Sequence, residues 1–265
     1  MTPQTWEILV IKHGTRTTRR SDVFMNYGFY DEPDGDFVLH YYLWVLRSGD
    51  QVIHVDTGYS ATGAAKRGRE VLIDPLEALG SLGLRADAGN PVVVTHAHYD
   101  HIGNLGAFTK SPIHISRKEL EFWTSDLGTK PLFSHFGDQE EVASILQAKS
   151  EGRLREFEGR CEITPGVELV EVGGHTPGQL VVRVSTNLGP VILAGDAAHF
   201  HEELERDMLF QSMADLSTAY RALHWLRDED VAAIITGHDA GELDRFDRVE
   251  GPLGDFVAIV GAHGA

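Results

Sequence analysis

Three imidazoles and one carboxylate lie within six residues of this sequence, in the stretch His96-Ala97-His98-Tyr99-Asp100-His101. The apolar run 91–95 comes directly before this stretch and is typical of a buried strand. Neutral imidazole and carboxylate are ligands that suit Zn²⁺ and its borderline neighbours. The stretch therefore predicts a metal site at the end of a rigid strand. In isolation it also fits a polar loop or a tag, so other parts of the chain have to supply further ligands.

Three further apolar runs end at a glycine that is followed by one ligand-type residue. These runs are 167–172, 191–194 and 231–236, and the residues that follow them are His175, Asp196 and His238. Glycine lets the backbone turn sharply at the end of a strand. One histidine after a strand is usually a core or surface residue. Four such units in this order predict ligands that meet in one cleft.

The order His-x-His-x-Asp-His, Gly-His-Thr-Pro-Gly, Gly-Asp and Gly-His resembles the metallo-β-lactamase superfamily, from about Gln51 to Asp239. The resemblance implies an α/β fold of four layers, an αββα sandwich, which we expect as one domain over residues 1–265. The segment 52–58 is also similar to a hydrophobic-Asp-Thr-Gly segment of that superfamily. By this resemblance Asp56 supports the metal-binding loop, and the alternative is an ordinary turn residue.

The resemblance also implies two divalent metal ions, most often Zn²⁺, although Mn, Fe and Co suit the same ligands. The first ion is expected on His96, His98 and His175, the second on Asp100, His101 and His238, with Asp196 as the bridge. Two neighbouring cations lower the pKa of a shared water toward ~7 and polarise a carbonyl group. The implied reaction is attack of a metal-bridging hydroxide on an activated carbonyl. Asp100 is then placed to orient the hydroxide and to protonate the leaving group.

Three features of the sequence argue against particular branches of the superfamily. His98 stands where flavodiiron members carry Glu, which disfavours redox iron. The segment after His238 is too short for the glutathione-binding module of glyoxalase-II-like thioesterases. Cys161 lies far from every ligand segment, unlike the ligand Cys of many zinc β-lactamases, and is expected to be structural. What is left resembles the lactonase branch, best known for N-acyl-homoserine lactone hydrolysis, which is quorum quenching.

His199 marks a departure from that branch. Its well-known members carry a Tyr three residues after the bridging Asp, where the hydroxyl is thought to hydrogen-bond the lactone. Imidazole can also donate a hydrogen bond. We therefore expect His199 as a catalytic candidate beside Asp100, with a solvated loop histidine as the alternative, and we expect His201 at the surface.

Composition limits the class of partner. The chain has 265 residues, 42% of them hydrophobic, and a formal net charge of −17, which argues against nucleic acid because phosphate binding needs clustered Lys and Arg. The N-terminus lacks the basic and apolar regions of a signal peptide, and no run of ~18 apolar residues predicts a membrane helix. The single cysteine cannot form an intrachain disulfide, so the sequence gives no sign of an oxidising compartment. We expect a cytoplasmic protein with a small-molecule substrate, and the family's tendency is a homodimer.

The remaining patterns predict the elements that position these residues. Strands are expected at 7–11, 37–46 and 112–116, and helices at 75–82, 140–149 and 214–227, the first between an Asp74 cap and Gly83. One stripe of the last helix is expected to be core packing: Leu216, Ala219, Tyr220, Leu223 and Leu226.

Two aromatic segments and one basic run could shape a pocket. The first segment is 24–30, and the second comprises Phe122, Trp123, Leu132, Phe133 and Phe136. Core or dimer packing explains them equally well. The basic run contains Lys12, Arg16, Arg19 and Arg20, and such a run is more often a solvated or ion-paired face than a site for a carboxylate.

Histidines outside the ligand pattern are expected to have no metal role, and among them only His135, next to Phe136, is a pocket candidate. They are His13, His40, His54, His114, His135, His224 and His263.

The sequence thus predicts a binuclear-metal hydrolase that opens a lactone ring. The alternatives are a thioesterase or amidase on the same site, or a non-catalytic sensor that binds its ligand through the metal.

Overall fold

A computed structural model describes residues 4–261, and these residues form fourteen strands and eight α-helices. The strands are β1 (Glu7–Arg19), β2 (Asp36–Ser48), β3 (Gln51–Val55), β4 (Glu70–Val71), β5 (Val92–Val93), β6 (Ile113–Ser116), β7 (Leu154–Phe157), β8 (Arg160–Thr164), β9 (Val167–Glu171), β10 (Leu180–Thr186), β11 (Gly189–Gly195), β12 (Ala233–Thr236), β13 (Asp247–Arg248) and β14 (Val257–Val260). The helices are α1 (Ala61–Arg67), α2 (Pro75–Ser81), α3 (Tyr99–Ile102), α4 (Arg117–Thr124), α5 (Pro131–Ser134), α6 (Gln139–Ser150), α7 (His201–Arg206) and α8 (Leu216–Asp228).

The strands form two sheets. The first has the order β13-β14-β1-β2-β3-β5-β6-β7, with β4 paired to β1, and the second has the order β12-β11-β10-β9-β8. Pairing is parallel from β3 through β7 and between β11 and β12. Parallel neighbours need crossover connections, usually helices, and these connections carry all eight helices, α1 to α8.

Alternation along β1 shows the order of the layers. Ile8 and Val10 pack with Leu169 and Val182 of the second sheet. Leu9 and Ile11, one residue out of phase, pack on the opposite face with residues of α2, α4 and α6. Since successive strand residues point to opposite faces, β1 contributes to two cores. The outer face of the second sheet is covered by α8, so the layers run helix, sheet, sheet, helix, as the resemblance implied.

The predicted helices lie close to their expected bounds, since the capping signals are local. The Asp74 side chain accepts hydrogen bonds from the amides of Leu76 and Glu77, which fixes the start of α2. The predicted stripe of α8 is partly wrong. Ala219, Leu223 and Leu226 are buried, whereas Leu216 and Tyr220 are 45% and 37% exposed.

The aromatic segments separate into core and surface. Phe24 and Tyr27 are buried in a small cluster with Phe200, whereas Phe29 is 84% exposed. Phe122 and Trp123, expected in a loop, belong to α4 and pack in the core.

Within residues 4–261, no helix is both long and apolar enough to cross a bilayer.

Candidate metal centre

Ligand-type side chains from both sheets meet at one end of the sandwich. His96 and His98 lie in the loop that follows β5, and Asp100 and His101 lie on α3 at the end of that loop. From the second sheet, His175 follows β9, Asp196 follows β11 and His238 follows β12. All seven side chains are buried. The ends of strands from different sheets therefore build one cluster.

These seven side chains form two groups, each able to hold a cation. His96, His98, His175 and Asp196 form one group, and Asp100, His101 and His238 form the other, with one ligand atom of every residue within 4.8 Å of the others in its group. The three residues of each predicted set thus lie together, and Asp196, predicted as the bridge, falls in the first group.

The Asp196 carboxylate lies between the two groups. Its Oδ1 is 3.3 Å from His101 Nε2 and 3.2 Å from His238 Nε2. Its Oδ2 is 3.3 Å from His175 Nε2 and 3.7 Å from His96 Nε2. His238 Nε2 also lies 3.3 Å from Oδ2, so it is the carboxylate as a whole, and not one oxygen for each group, that contacts both groups.

The cluster contains buried polar atoms that lack hydrogen-bond partners in the described part of the chain. They are His96 Nε2, His101 Nε2, Asp196 Oδ1 and His199 Nε2. Leaving such atoms unpaired in the interior costs ~1–3 kcal/mol each. Burial lowers the pKa of His175 to about 3 and that of His96 well below its ordinary value, so these rings are neutral and can offer a lone pair. The donor set therefore fits two divalent cations.

Hydrogen bonds to the opposite ring nitrogen orient three of the histidines. His175 Nδ1 lies 2.7 Å from the Ser212 carbonyl oxygen, and His238 Nδ1 lies 2.8 Å from that of His40. A carbonyl can only accept, so each Nδ1 donates and each Nε2 is left free for a cation. Such contacts fix the tautomer of metal-binding histidines.

Asp56 orients the third ring. Its buried carboxylate lies 2.7 Å from His101 Nδ1 and accepts hydrogen bonds from the amide and hydroxyl of Thr95. The backbone of Asp56 has φ 60°, a left-handed conformation that Asp tolerates better than most residues. The structure thus favours the supporting role of Asp56 over that of an ordinary turn residue.

Glu119 of α4 was missed by sequence reasoning. Its buried carboxylate accepts hydrogen bonds from the Ala97 amide at 2.8 Å and from the Thr176 hydroxyl at 2.7 Å. Trp123 Nε1 and the Gly178 amide donate two more. One carboxylate therefore ties the loop of His96 and His98 to the loop of His175. The only local signal was a charged residue beside Leu120 on a helix that packs in the core.

His199 is fully buried next to the cluster. Its Nε2 lies 3.2 Å from Asp196 Oδ2 and its Nδ1 3.2 Å from Glu203. The ring stacks on Phe210 at 3.9 Å. Burial alone would lower its pKa, but Asp196 and Glu203 raise the pKa of His199 to about 9. The alternative of a solvated loop histidine is therefore wrong. His201 is half-buried and lies 2.5 Å from Glu242, so it is less exposed than expected.

A pocket opens over the cluster, and an apolar cavity adjoins it. The pocket is lined by five of the clustered side chains and by two phenylalanines: His98, Asp100, His175, Asp196, His238, Phe136 and Phe210. The adjoining cavity measures about 510 Å³. It shares His98, His175 and Phe136 with the pocket and is lined by Leu132, Phe133 and His135. Part of the second aromatic segment (Leu132, Phe133 and Phe136) and His135 thus line a cavity, whereas Phe122 and Trp123 pack in the core.

The other histidines lie outside both groups. His13 and His54 are buried, and their ring nitrogens have no hydrogen-bond partner within residues 4–261. His40 and His114 are half-buried. His224 is exposed, and His263 lies outside the described residues. Cys161 is a free, half-buried thiol on β8 and belongs to neither group.

The chain is similar to known proteins over most of this architecture. An N-acyl homoserine lactonase of a Bacillus species is 28% identical over 152 residues, which cover 56% of this chain and 55% of the relative. The match thus spans about half the length of that relative. A solved structure of a quorum-quenching N-acyl homoserine lactone lactonase is 25% identical, with a TM-score of 0.74 over 91% of this chain and 94% of that one.

A second solved structure, an N-acyl homoserine lactone hydrolase with N-hexanoyl-L-homoserine bound at the catalytic metal centre, shares the fold. Its TM-score is 0.75 at 23% identity, over 92% of this chain and 97% of that one. The family model of the metallo-beta-lactamase superfamily matches residues 37–238, a span that contains all seven clustered side chains. The chain belongs to the metallo-beta-lactamase superfamily.

Proposed function

We propose that this protein is a metal-dependent hydrolase that opens lactone rings. The observation that carries the proposal is the Asp196 carboxylate, which lines a pocket and lies within 3.3 Å of imidazole nitrogens from both buried ligand groups. The relatives named as N-acyl homoserine lactonases support a lactone as the substrate.

In this proposal His96, His98 and His175 would hold one cation and Asp100, His101 and His238 would hold the other. Two divalent cations, which we propose to be Zn²⁺, would make a water more acidic and would supply positive charge for the carbonyl oxygen. Asp196 connects the two groups because its carboxylate contacts histidines of both. Asp56 and the carbonyls of Ser212 and His40 hold the imidazoles in the required tautomer.

Asp100 has a second role in the proposal. Its carboxylate is buried yet reaches the pocket, and its Oδ2 lies 3.7 Å from His238 Nε2. The group can therefore hold a proton next to the bound substrate and pass it to the departing alkoxide.

His199 is proposed to act through Asp196. Its ring is covered by Phe210 and is in contact with the carboxylate that faces both groups. A direct hydrogen bond to a lactone, as expected from the sequence, would require Phe210 to move aside.

Proton release on matched lactones and thioesters tests the proposal. The panel contains acyl-homoserine lactones of several chain lengths, aromatic lactones and the corresponding thioesters, with metal-loaded and chelator-stripped protein near neutral pH. We expect metal-dependent opening of a lactone. Hydrolysis of thioesters alone would replace the lactonase by the thioesterase alternative. Saturable binding of a lactone without turnover would indicate a sensor.

A further inference from the structure

The arginines on β1 and directly after it lie partly at the surface and partly in the pocket. Arg19 is paired with Asp34 and Asp36, and Arg20 is paired with Glu202. Arg16, between them and the sheet core, lines the pocket over the ligand cluster instead. Its position on β1 is paired with Leu39 of β2, which lines the same pocket.

A second arginine reaches the pocket beside the first. β1 and β4 pair with Gly14 opposite Val71 and Thr15 opposite Glu70, so the register continued by one residue brings Arg69 next to Arg16. Arg69 also lines the pocket. Its Nε donates a 2.9 Å hydrogen bond to the hydroxyl of Tyr99, which directly follows His98 in the ligand loop.

Neither arginine has an acidic partner. Among residues 4–261, neither guanidinium takes part in an ion pair within 4.0 Å, and the hydrogen bonds of both go to neutral oxygens of Thr18, Tyr99 and Arg67. The chain has 40 acidic against 23 basic residues, so partners are abundant elsewhere. The Asp100 carboxylate attracts Arg69 from beyond ion-pair distance, so no described carboxylate is directly bound to either guanidinium.

The two carboxylates of the pocket are assigned to cation binding in the proposed function. Asp100 and Asp196 are its acidic lining residues, and in the proposed function both bind cations. A metal-loaded pocket is therefore positively charged, and Arg16 and Arg69 add to that charge. Phe136 and Phe210 contribute apolar surface to the same pocket.

From this arrangement we propose that Arg16 and Arg69 form a subsite for a carboxylate group on the substrate. The inference rests on the proposed function and narrows it to lactones that carry a carboxylate besides the ring ester. Guanidinium groups suit this role because they bind carboxylates through two parallel hydrogen bonds. The scissile carbonyl then faces the ligand cluster while the carboxylate lies against the arginine wall.

The test compares two γ-butyrolactones that are identical except that one carries a carboxylate and the other a carboxamide. We expect kcat/KM to be at least about tenfold higher for the carboxylate, mainly through KM, since one hydrogen bond to a charged group is worth about that factor. Arg16→Gln should bring this ratio close to one, and Arg16→Lys should restore part of it. Arg19→Gln, whose arginine is ion-paired at the surface, is the matched control and should keep the ratio.

A binding measurement separates this inference from the proposed function. Calorimetry on the metal-loaded protein compares the ring-opened dicarboxylate with its monocarboxamide analogue, and no turnover is needed. Tighter binding of the dicarboxylate that is lost in Arg16→Gln supports the subsite even if no lactone is hydrolysed. Equal affinity for the two compounds, or equal effects of Arg16→Gln and Arg19→Gln, would overturn it. A lactone that carries a phosphate is the third arm, and its preference over the carboxylate would overturn the assignment to carboxylates.

Discussion

The Glu119 carboxylate accepts a 2.7 Å hydrogen bond from the Thr176 hydroxyl while its other oxygen accepts one from the Ala97 amide. Glu119→Gln replaces one oxygen by an amide group that faces two donors. We expect metal affinity to fall by about 10–100-fold, as for other groups that support ligands without binding the metal. Competition with a chromophoric chelator measures this affinity.

Glu121 provides the control for that variant. It lies on the same helix, two residues further, and is exposed. Glu121→Gln should leave metal affinity unchanged. If both variants bound metal as tightly as the parent protein, Glu119 would not position the loops.

Asp100→Asn tests the proton-transfer role. The amide keeps an oxygen in the cluster but cannot hold the proton, so we expect kcat to fall by about 10²–10⁴-fold while much of the metal stays bound. Steady-state kinetics and elemental analysis of the same sample give both quantities. An unchanged kcat would exclude Asp100 as the proton donor.

His54 makes stability depend on pH. Its ring is buried against Phe108, and burial lowers its pKa to about 4. Between about pH 6.5 and pH 4 the unfolded chain binds a proton at this histidine and the folded protein does not. The free energy of unfolding should therefore fall as the pH is lowered, by up to ~1.4 kcal/mol per pH unit from this group.

Urea denaturation across that pH range measures the slope. His54→Leu should make it shallower, because the titrating group is removed while an apolar contact with Phe108 is kept. His224→Leu, at an exposed position, should keep the parent slope. A parallel decline in the parent protein and His54→Leu would refute the assignment.

Metal removal should destabilise the sandwich as a whole. The ligand groups draw side chains from both sheets, so bound cations connect them. Binding to the folded state alone contributes about 4 kcal/mol per site at a thousand times Kd. We expect Tm to drop on chelation and to recover when Zn²⁺ is added back. A Tm that does not respond to either step would argue against metal binding at this cluster.

The sequence was most informative where the signal is local. Every clustered side chain follows a strand that is apolar or alternating in sequence, so His96 and His238 were recognisable although they lie 142 positions apart. Helix caps such as Asp74 are equally local. The ligand roles themselves stay predictions until a metal is measured.

Residues whose contacts are distant along the chain could not be assigned a role from the sequence. Glu119 is a typical helix residue until the fold brings Thr176 and Ala97 to it, and Arg69 gains its meaning only from the register of β4 beside β1. The stripe of α8 was extended too far, because periodicity shows which face is apolar and not where the sheet beneath it ends. Leu216 lies in the first turn and Tyr220 at the margin of that face.

Because the clustered residues are far apart in the sequence, we also expect the cluster to form late in folding. Sites built from distant segments form only after the intervening loops have closed, which makes them late events. The loop of His96 can form with the first sheet, but His175, Asp196 and His238 arrive only when the second sheet has docked. We therefore expect cation binding at this cluster to follow the docking of the second sheet on the first.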